Sequence, residues 1–195
     1  MAESSVDPET TSGVASRSMD VFVAMKKRRM HREFTDEPVD RASLDQLIYA
    51  VRRASVARPD LRHILVVTDR RLIRTVQQAC PGFIANPPAI IVICTDVEKS
   101  AEYLGANGPD DIGRLDSGAA SGFLTLAAPA LGLGVTIAKS YTPEVVQTIF
   151  GLPEHIRPDV LVGVGHPVAN PWPAPRGFTS VLHRDRYGTP WGDSE

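Results

Sequence analysis

Residues 117–138 run without a single charged side chain. A stretch that long is either a membrane span or a helix packed inside protein. Gly118, Gly122, Gly132, Gly134 and Pro129, with several serines and threonines, dilute its hydrophobicity. Gly132 and Gly134 also read as a helix stop. About sixteen helical residues are then left where a span requires ~20. The run therefore predicts a buried helix over residues 116–131 rather than a membrane protein. In a chain of 195 residues, a helix buried on every side needs either helices and sheet all around it or a second subunit against it.

The rest of the chain supplies mixed α and β elements. Asp40 is placed to N-cap a helix in which Leu44, Leu47, Ile48 and Val51 recur at helical spacing. Residues 63–68 and 89–95 are β-branched apolar runs of strand length, separated by a predicted helix over residues 69–79. Pro87 and Pro88 fix the entry to the second strand. A short helix over residues 142–150 begins with Pro143 in its first turn, and residues 159–165 make a further strand. The fold class expected is α+β, a central mixed or antiparallel sheet flanked by helices. No linker or repeat divides the chain, so residues 18–195 read as one domain, and the polar, acidic residues 1–17 read as a disordered lead-in. The tail after Pro167 carries Trp172, Phe178, Tyr187 and Trp191 with little periodicity, and it must lie on something to cover those aromatics.

Composition excludes several functions. A net charge of −2 with 43% apolar residues fits an ordinary soluble domain and gives no electrostatic footprint for nucleic acid. The opening residues lack the positive start and apolar stretch of a signal peptide, which points to the cytoplasm. Cys80 and Cys94 both sit in apolar contexts, as reduced core thiols do. The five histidines lack zinc-type spacing and read as scattered surface or capping residues, so no metal site is expected. Gly132-Leu133-Gly134 and Gly163-Val164-Gly165 lack the third glycine of a dinucleotide fingerprint, and neither a P-loop nor a G-x-S-x-G elbow occurs. Chemistry in such a chain would rest on a borrowed cofactor.

One segment suggests where such a cofactor would bind. Lys26, Lys27, Arg28, Arg29 and Arg32 precede the acidic turn Glu37-Pro38-Val39-Asp40. Val21, Phe22 and Met25 recur at helical spacing, which predicts Arg28 and Arg29 in the last turn of a short helix. The cations then serve either as a solvated helix end that suits the helix dipole or as a phosphate site.

This block and three later segments, in their order, resemble the nitroreductase superfamily of flavin enzymes. In that family an Arg-Arg-Ser-x-Arg-x-Phe pattern follows the first helix, and here Arg28, Arg29, Met30, Arg32 and Phe34 match it. Asp116-Ser117-Gly118-Ala119 opens the long helix that closes with Ala130-Leu131-Gly132-Leu133-Gly134. Gly151-Leu152-Pro153-Glu154-His155-Ile156 leads into a strand ending Val164-Gly165-His166-Pro167. Arg176 and then His183-Arg184-Asp185-Arg186-Tyr187-Gly188 resemble the C-terminal tail, so the likeness spans residues 19–192.

The resemblance implies an intertwined homodimer packed on the long helix, with an arm of residues 168–195 wrapping the partner and FMN at the interface. Arg28, Arg29, Met30, Arg32 and Arg176 would then hold the FMN phosphate and ribityl chain. Ile137, Ala138, Lys139 and Ser140 would lie along the flavin ring, and Ser55 and Arg58 would reach it from the other subunit. Lys139 is the candidate catalytic residue, a cation near N5 that stabilises the reduced ring or a lysine facing solvent. Two departures stand out: Arg58 and Asp60 replace amide residues of the family pattern, and Phe123 replaces an Asn on the long helix. Arg only donates where Asn also accepts. Arg58 either retunes the ring site, marks its loss, or pairs with Asp60 at the surface.

The activity implied is transfer of hydride from NADPH or NADH to a flat organic acceptor, a nitroaromatic or quinone. The cyclodipeptide oxidase and azoline dehydrogenase branches are also resembled, which implies an alternative in which a natural-product substrate is oxidised and oxygen is the electron acceptor, with a small accessory subunit. A third reading is a flavin-sequestering or idle dimer. Residues 98–114, rich in Gly, Asn and Asp, are the candidate lid over the acceptor pocket.

Overall fold

The computed structural model describes residues 19–168 and 182–191. Four strands form one sheet in the order β1-β2-β4-β3: β1 is Arg62–Val67, β2 Ala89–Asp96, β3 Gly134–Ala138 and β4 Ile156–Gly165. Every neighbouring pair is antiparallel. Helices α1 (Val21–Lys27), α2 (Arg41–Arg53), α3 (Arg70–Ala79), α4 (Val97–Leu104), α5 (Arg114–Ala127) and α6 (Pro143–Phe150) surround it.

Strand β2 shows why the sheet sits in the middle. All its residues are buried. Because successive side chains point to opposite faces, Ala89, Ile91 and Ile93 join the core with Leu44, Leu47 and Val51 of α2 and Ala120 and Leu124 of α5. Ile90, Val92 and Cys94 face the other way, against Ile73 and Val76 of α3 and Val146 of α6. The result is three layers, helix, sheet, helix, with a separate apolar core on each face.

The helix starts follow capping chemistry. Asp40 accepts from the Ser43 N–H, Asp69 from those of Arg71 and Leu72, and Asp20 from those of Phe22 and Val23. Helix α1 ends at Lys27, so Arg28 is its C-cap and Arg29 lies beyond it, a correction to the expected last-turn position of both. The candidate lid is itself helical: α4 ends at Gly105, and a π-helical turn, Pro109–Gly113, leads directly into α5.

Helix α5 begins slightly earlier than expected and ends in a 3-10 turn, Ala128–Leu131. Pro129 enters there without an N–H to donate. Gly132 then adopts φ 72°, the left-handed stop that a glycine tolerates. Among the described residues, one face of α5 is covered, through Ser117, Ala120, Ser121, Leu124 and Thr125. Leu115 is 70% exposed and Phe123 47%. Burial on every side is therefore not met among the described residues of one chain. No helix among the described residues is long and apolar enough to cross a membrane.

Candidate functional site

The cation segment is fastened to the sheet edge formed by β3. Met30 bridges Val135 in parallel fashion, and the His31 N–H donates to the Val135 carbonyl at 2.8 Å. Asn86 holds the next turn from the side: its Oδ1 accepts from the Phe34 N–H at 3.0 Å and its Nδ2 donates to the Phe34 carbonyl at 3.2 Å. Thr35 donates to the His166 carbonyl at the end of β4. The strand-like segment is thereby fixed over its whole length.

Within it the cations differ. Arg29 folds back, its Nη1 donating at 2.7 Å to the carbonyls of Lys26 and Arg28. The Arg28 side chain is half-buried and has no partner among the described residues. Arg32 is exposed. His31 is buried, contrary to the surface or capping role expected of the histidines. Gly134 makes room for it, since a Cβ there would stand 2.8 Å from His31 Nδ1. Burial pushes the His31 pKa below its ordinary value, with a hydrogen bond to the Arg29 backbone offsetting part of the shift.

At the far end of β3, Ala138 is buried and closes the ladder opposite Leu161. Ile137 is half-buried, while Lys139 and Ser140 leave the sheet exposed. The Ser140 carbonyl accepts from the Gly82 N–H at 3.2 Å. Gly82 has to be glycine for that approach, because a Cβ would lie 2.8 Å from the Ser140 oxygen. Arg28, Arg29, Met30 and Arg32 thus share the β3 edge with Ile137, Ala138, Lys139 and Ser140.

Ser55 and Arg58 lie at the opposite edge, in the loop between α2 and β1. Strands β2 and β4 separate β1 from β3, which is at least roughly 14 Å at the usual strand spacing. The loop is held by Arg62, a residue that the sequence reading missed. Its Nη1 donates to the carbonyls of Val51 and Ala54, and its Nη2 to those of Ser55 at 2.6 Å and Asp116 at 3.0 Å. A cation there also suits the C-terminal end of α2. Asp116 at the start of α5 accepts from the Ala57 N–H at 2.8 Å. The one local signal for Arg62 was a charge opening an otherwise apolar strand. Arg58 donates from Nε to Asp60 at 3.3 Å and lies over the Tyr103 ring at 3.9 Å. Arg176 lies outside the described residues, as do residues 1–18 and most of the expected C-terminal arm.

Between these edges runs an open apolar groove of about 800 Å³, lined by Met25 of α1, Tyr49 of α2, and Phe123, Leu126, Ala130 and Leu131 of α5 and its 3-10 turn. Phe123, one of the departures noted above, therefore faces this groove and not the core.

The Nitroreductase family model matches residues 58–166. The chain is 28% identical over 185 residues to FMN reductase (NAD(P)H) of Bacillus subtilis, covering 86% of this chain and 74% of that protein. It is 27% identical over 188 residues to NADH dehydrogenase of Thermus thermophilus, covering 81% and 92%. Among solved structures it is similar to the hypothetical oxidoreductase YcnD from Bacillus subtilis, with TM-score 0.76, 26% identity, and coverage of 87% of this chain and 75% of that one. The match begins at Arg58, so the cation segment rests on the longer pairwise likeness. With more than half of its length matched by the family model, this chain belongs to the nitroreductase family.

Proposed function

We propose that this protein is an FMN-dependent oxidoreductase that works as a homodimer, oxidises NADPH or NADH, and reduces a flat organic acceptor of the nitroaromatic or quinone type. The observation that carries this reading is the placement of the candidate residues on opposite sheet edges in a family member whose α5 face is open. One chain cannot close residues so far apart around a single ring. Two copies joined through the apolar groove would set the β3 edge of one against the Ser55 loop of the other.

The residues present fit the cofactor. Arg28 offers a half-buried guanidinium without a partner among the described residues, and a phosphate accepts charge-assisted hydrogen bonds from such a group. Arg32 and Arg176 are its proposed companions. FMN, when bound, supplies the hydride chemistry. The chain's part is to orient and to exclude water: Gly82 fixes the Ser140 backbone, Arg62 and Asp116 fix the Ser55 loop, and Lys139 places a cation at the strand end. Its positive charge favours an anionic reduced cofactor. The names of the two curated relatives support NAD(P)H as donor.

The test is anaerobic spectroscopy on purified protein. The flavin released on denaturation should be FMN, NADPH or NADH should bleach the bound form, and a quinone should restore the colour. A colourless protein that takes up no added FMN would overturn the proposal. Bleaching by neither nucleotide would leave the oxidase and the idle dimer, which bleaching by an oxidisable candidate substrate separates.

A further inference from the structure

We propose that Arg58 is a docking point for a carboxylate on the electron acceptor, so that this enzyme prefers flat aromatic acids to their neutral counterparts. The inference rests on the two-chain site just proposed. Its starting point is how completely Arg58 is held. The backbone under it is clamped by Arg62, which donates to the Ser55 and Asp116 carbonyls, and by Asp116, which accepts from the Ala57 N–H. The guanidinium is held twice more, by Asp60 at Nε and by the face of Tyr103 from α4.

Those contacts use Nε and one π face. They leave Nη1 and Nη2 without partners among the described residues, at a side chain that is 45% exposed. Two parallel N–H groups at a guanidinium edge match a carboxylate bidentately. A surface arginine loses rotamer freedom when it binds an anion, and the contacts with Asp60 and Tyr103 restrict that freedom in part beforehand. Asp60 does not cancel the site, since it occupies Nε and leaves the outer edge open. The neighbouring cation, Lys99, is committed to the buried Asp96 at 3.4 Å. Because the loop belongs to the ring-facing set, an acid bound there would be an acceptor presented to the flavin of the other chain.

The experiment compares 4-nitrobenzoate with the neutral, nearly isosteric 4-nitrobenzamide, binding each to the protein as purified by calorimetry. Loss of a charge-assisted hydrogen bond is worth roughly tenfold to a hundredfold, so wild type should bind the acid tighter by about that factor. Arg58→Gln should bind the two alike. Tyr103→Leu, which removes the platform of an exposed cation–π contact, should lose about two- to fivefold of the preference. Flavin content is read separately from absorbance, so a wild type without FMN would count against the oxidoreductase reading and not against the fork. Equal binding of the two probes by wild type, or a preference that survives Arg58→Gln, would overturn the proposal. So would an NADPH-over-NADH preference that vanishes in Arg58→Gln while the two probes stay indistinguishable, because the fork would then serve the donor.

Discussion

The His31 N–H donates to the Val135 carbonyl at 2.8 Å, and this bond joins the exit of the first helix to the strand that runs to Ala138, just before Lys139 and Ser140. Two stretches about a hundred residues apart in sequence are thereby made one edge. Arg28 and Arg29 are held by the end of the helix, through the Arg28 N–H on the Ala24 carbonyl and the Arg29 Nη1 on the Lys26 carbonyl, whereas the segment that carries Arg32 gains its position from the His31 bond and from Asn86.

Arg28 should matter more to FMN than Arg29. Arg28→Ala is expected to weaken FMN binding by about 1.5–3 kcal/mol, tenfold to a hundredfold, if it supplies a charge-assisted hydrogen bond to the phosphate. Arg29→Ala should cost less, because its Nη1 is already engaged by the Lys26 and Arg28 carbonyls. Fluorescence titration of the apoprotein with FMN measures both. A double variant, Arg28→Ala with Arg176→Ala, that keeps full affinity would remove the phosphate from this edge.

The open face of α5 predicts the oligomeric state. Wild type should scatter light as a particle of twice 21.1 kDa at micromolar concentration, burying on the order of 2,000 Å² or more. Phe123→Glu, at a position 47% exposed in the single chain, should yield monomer with unchanged helical circular dichroism, since it would bury an unpaired charge only in the dimer. A wild-type monomer would contradict the groove's assignment.

His31 gives stability a pH dependence of definite sign. Its folded pKa lies below the ordinary value because the ring is buried, so below about pH 6.5 the unfolded chain takes up a proton that the folded chain refuses. Stability from this residue is complete above that pH and falls as the pH drops toward the folded pKa. The difference in denaturation midpoint between wild type and His31→Gln should therefore shrink or reverse from pH 7.5 to 5.5. A constant difference would place His31 in contact with water.

The two thiols should be inert in the native protein. Burial raises the Cys80 pKa, and burial together with the Asp159 carboxylate pushes Cys94 up to about 12. Only a thiolate reacts quickly with a disulfide reagent. An aromatic disulfide at pH 8 should label neither cysteine until denaturant is added, and rapid labelling of the folded state would count against the packing on the α3 and α6 face.

What could be read from the sequence was what neighbouring residues decide. Residues 89–94 of β2 are apolar on both faces, so the run reads as a strand. Asp40 and Asp69 cap helices with their own side chains, and Gly132 ends one with its own φ. Long-range packing was not legible. His31 sits among cations and reads as exposed, yet Gly134 opens a slot for it across the strand. Arg62 reads as a strand end, yet its acceptors lie 7 to 54 residues away. The candidate residues were named from the family resemblance. Their division between two sheet edges is set by the strand order, which local pattern does not encode.

That division is also the account's central claim, and a mixed dimer tests it. One chain would carry Arg28→Ala and Arg32→Ala, the other Ser55→Trp as a bulky block on the exposed loop, each abolishing FMN binding in its own homodimer. If every site takes its phosphate side from one chain and its ring side from the other, the mixed dimer has one doubly damaged site and one intact site. It should bind one FMN per dimer with wild-type affinity. If each chain builds a whole site alone, both sites are damaged and no tight FMN binding would be measured.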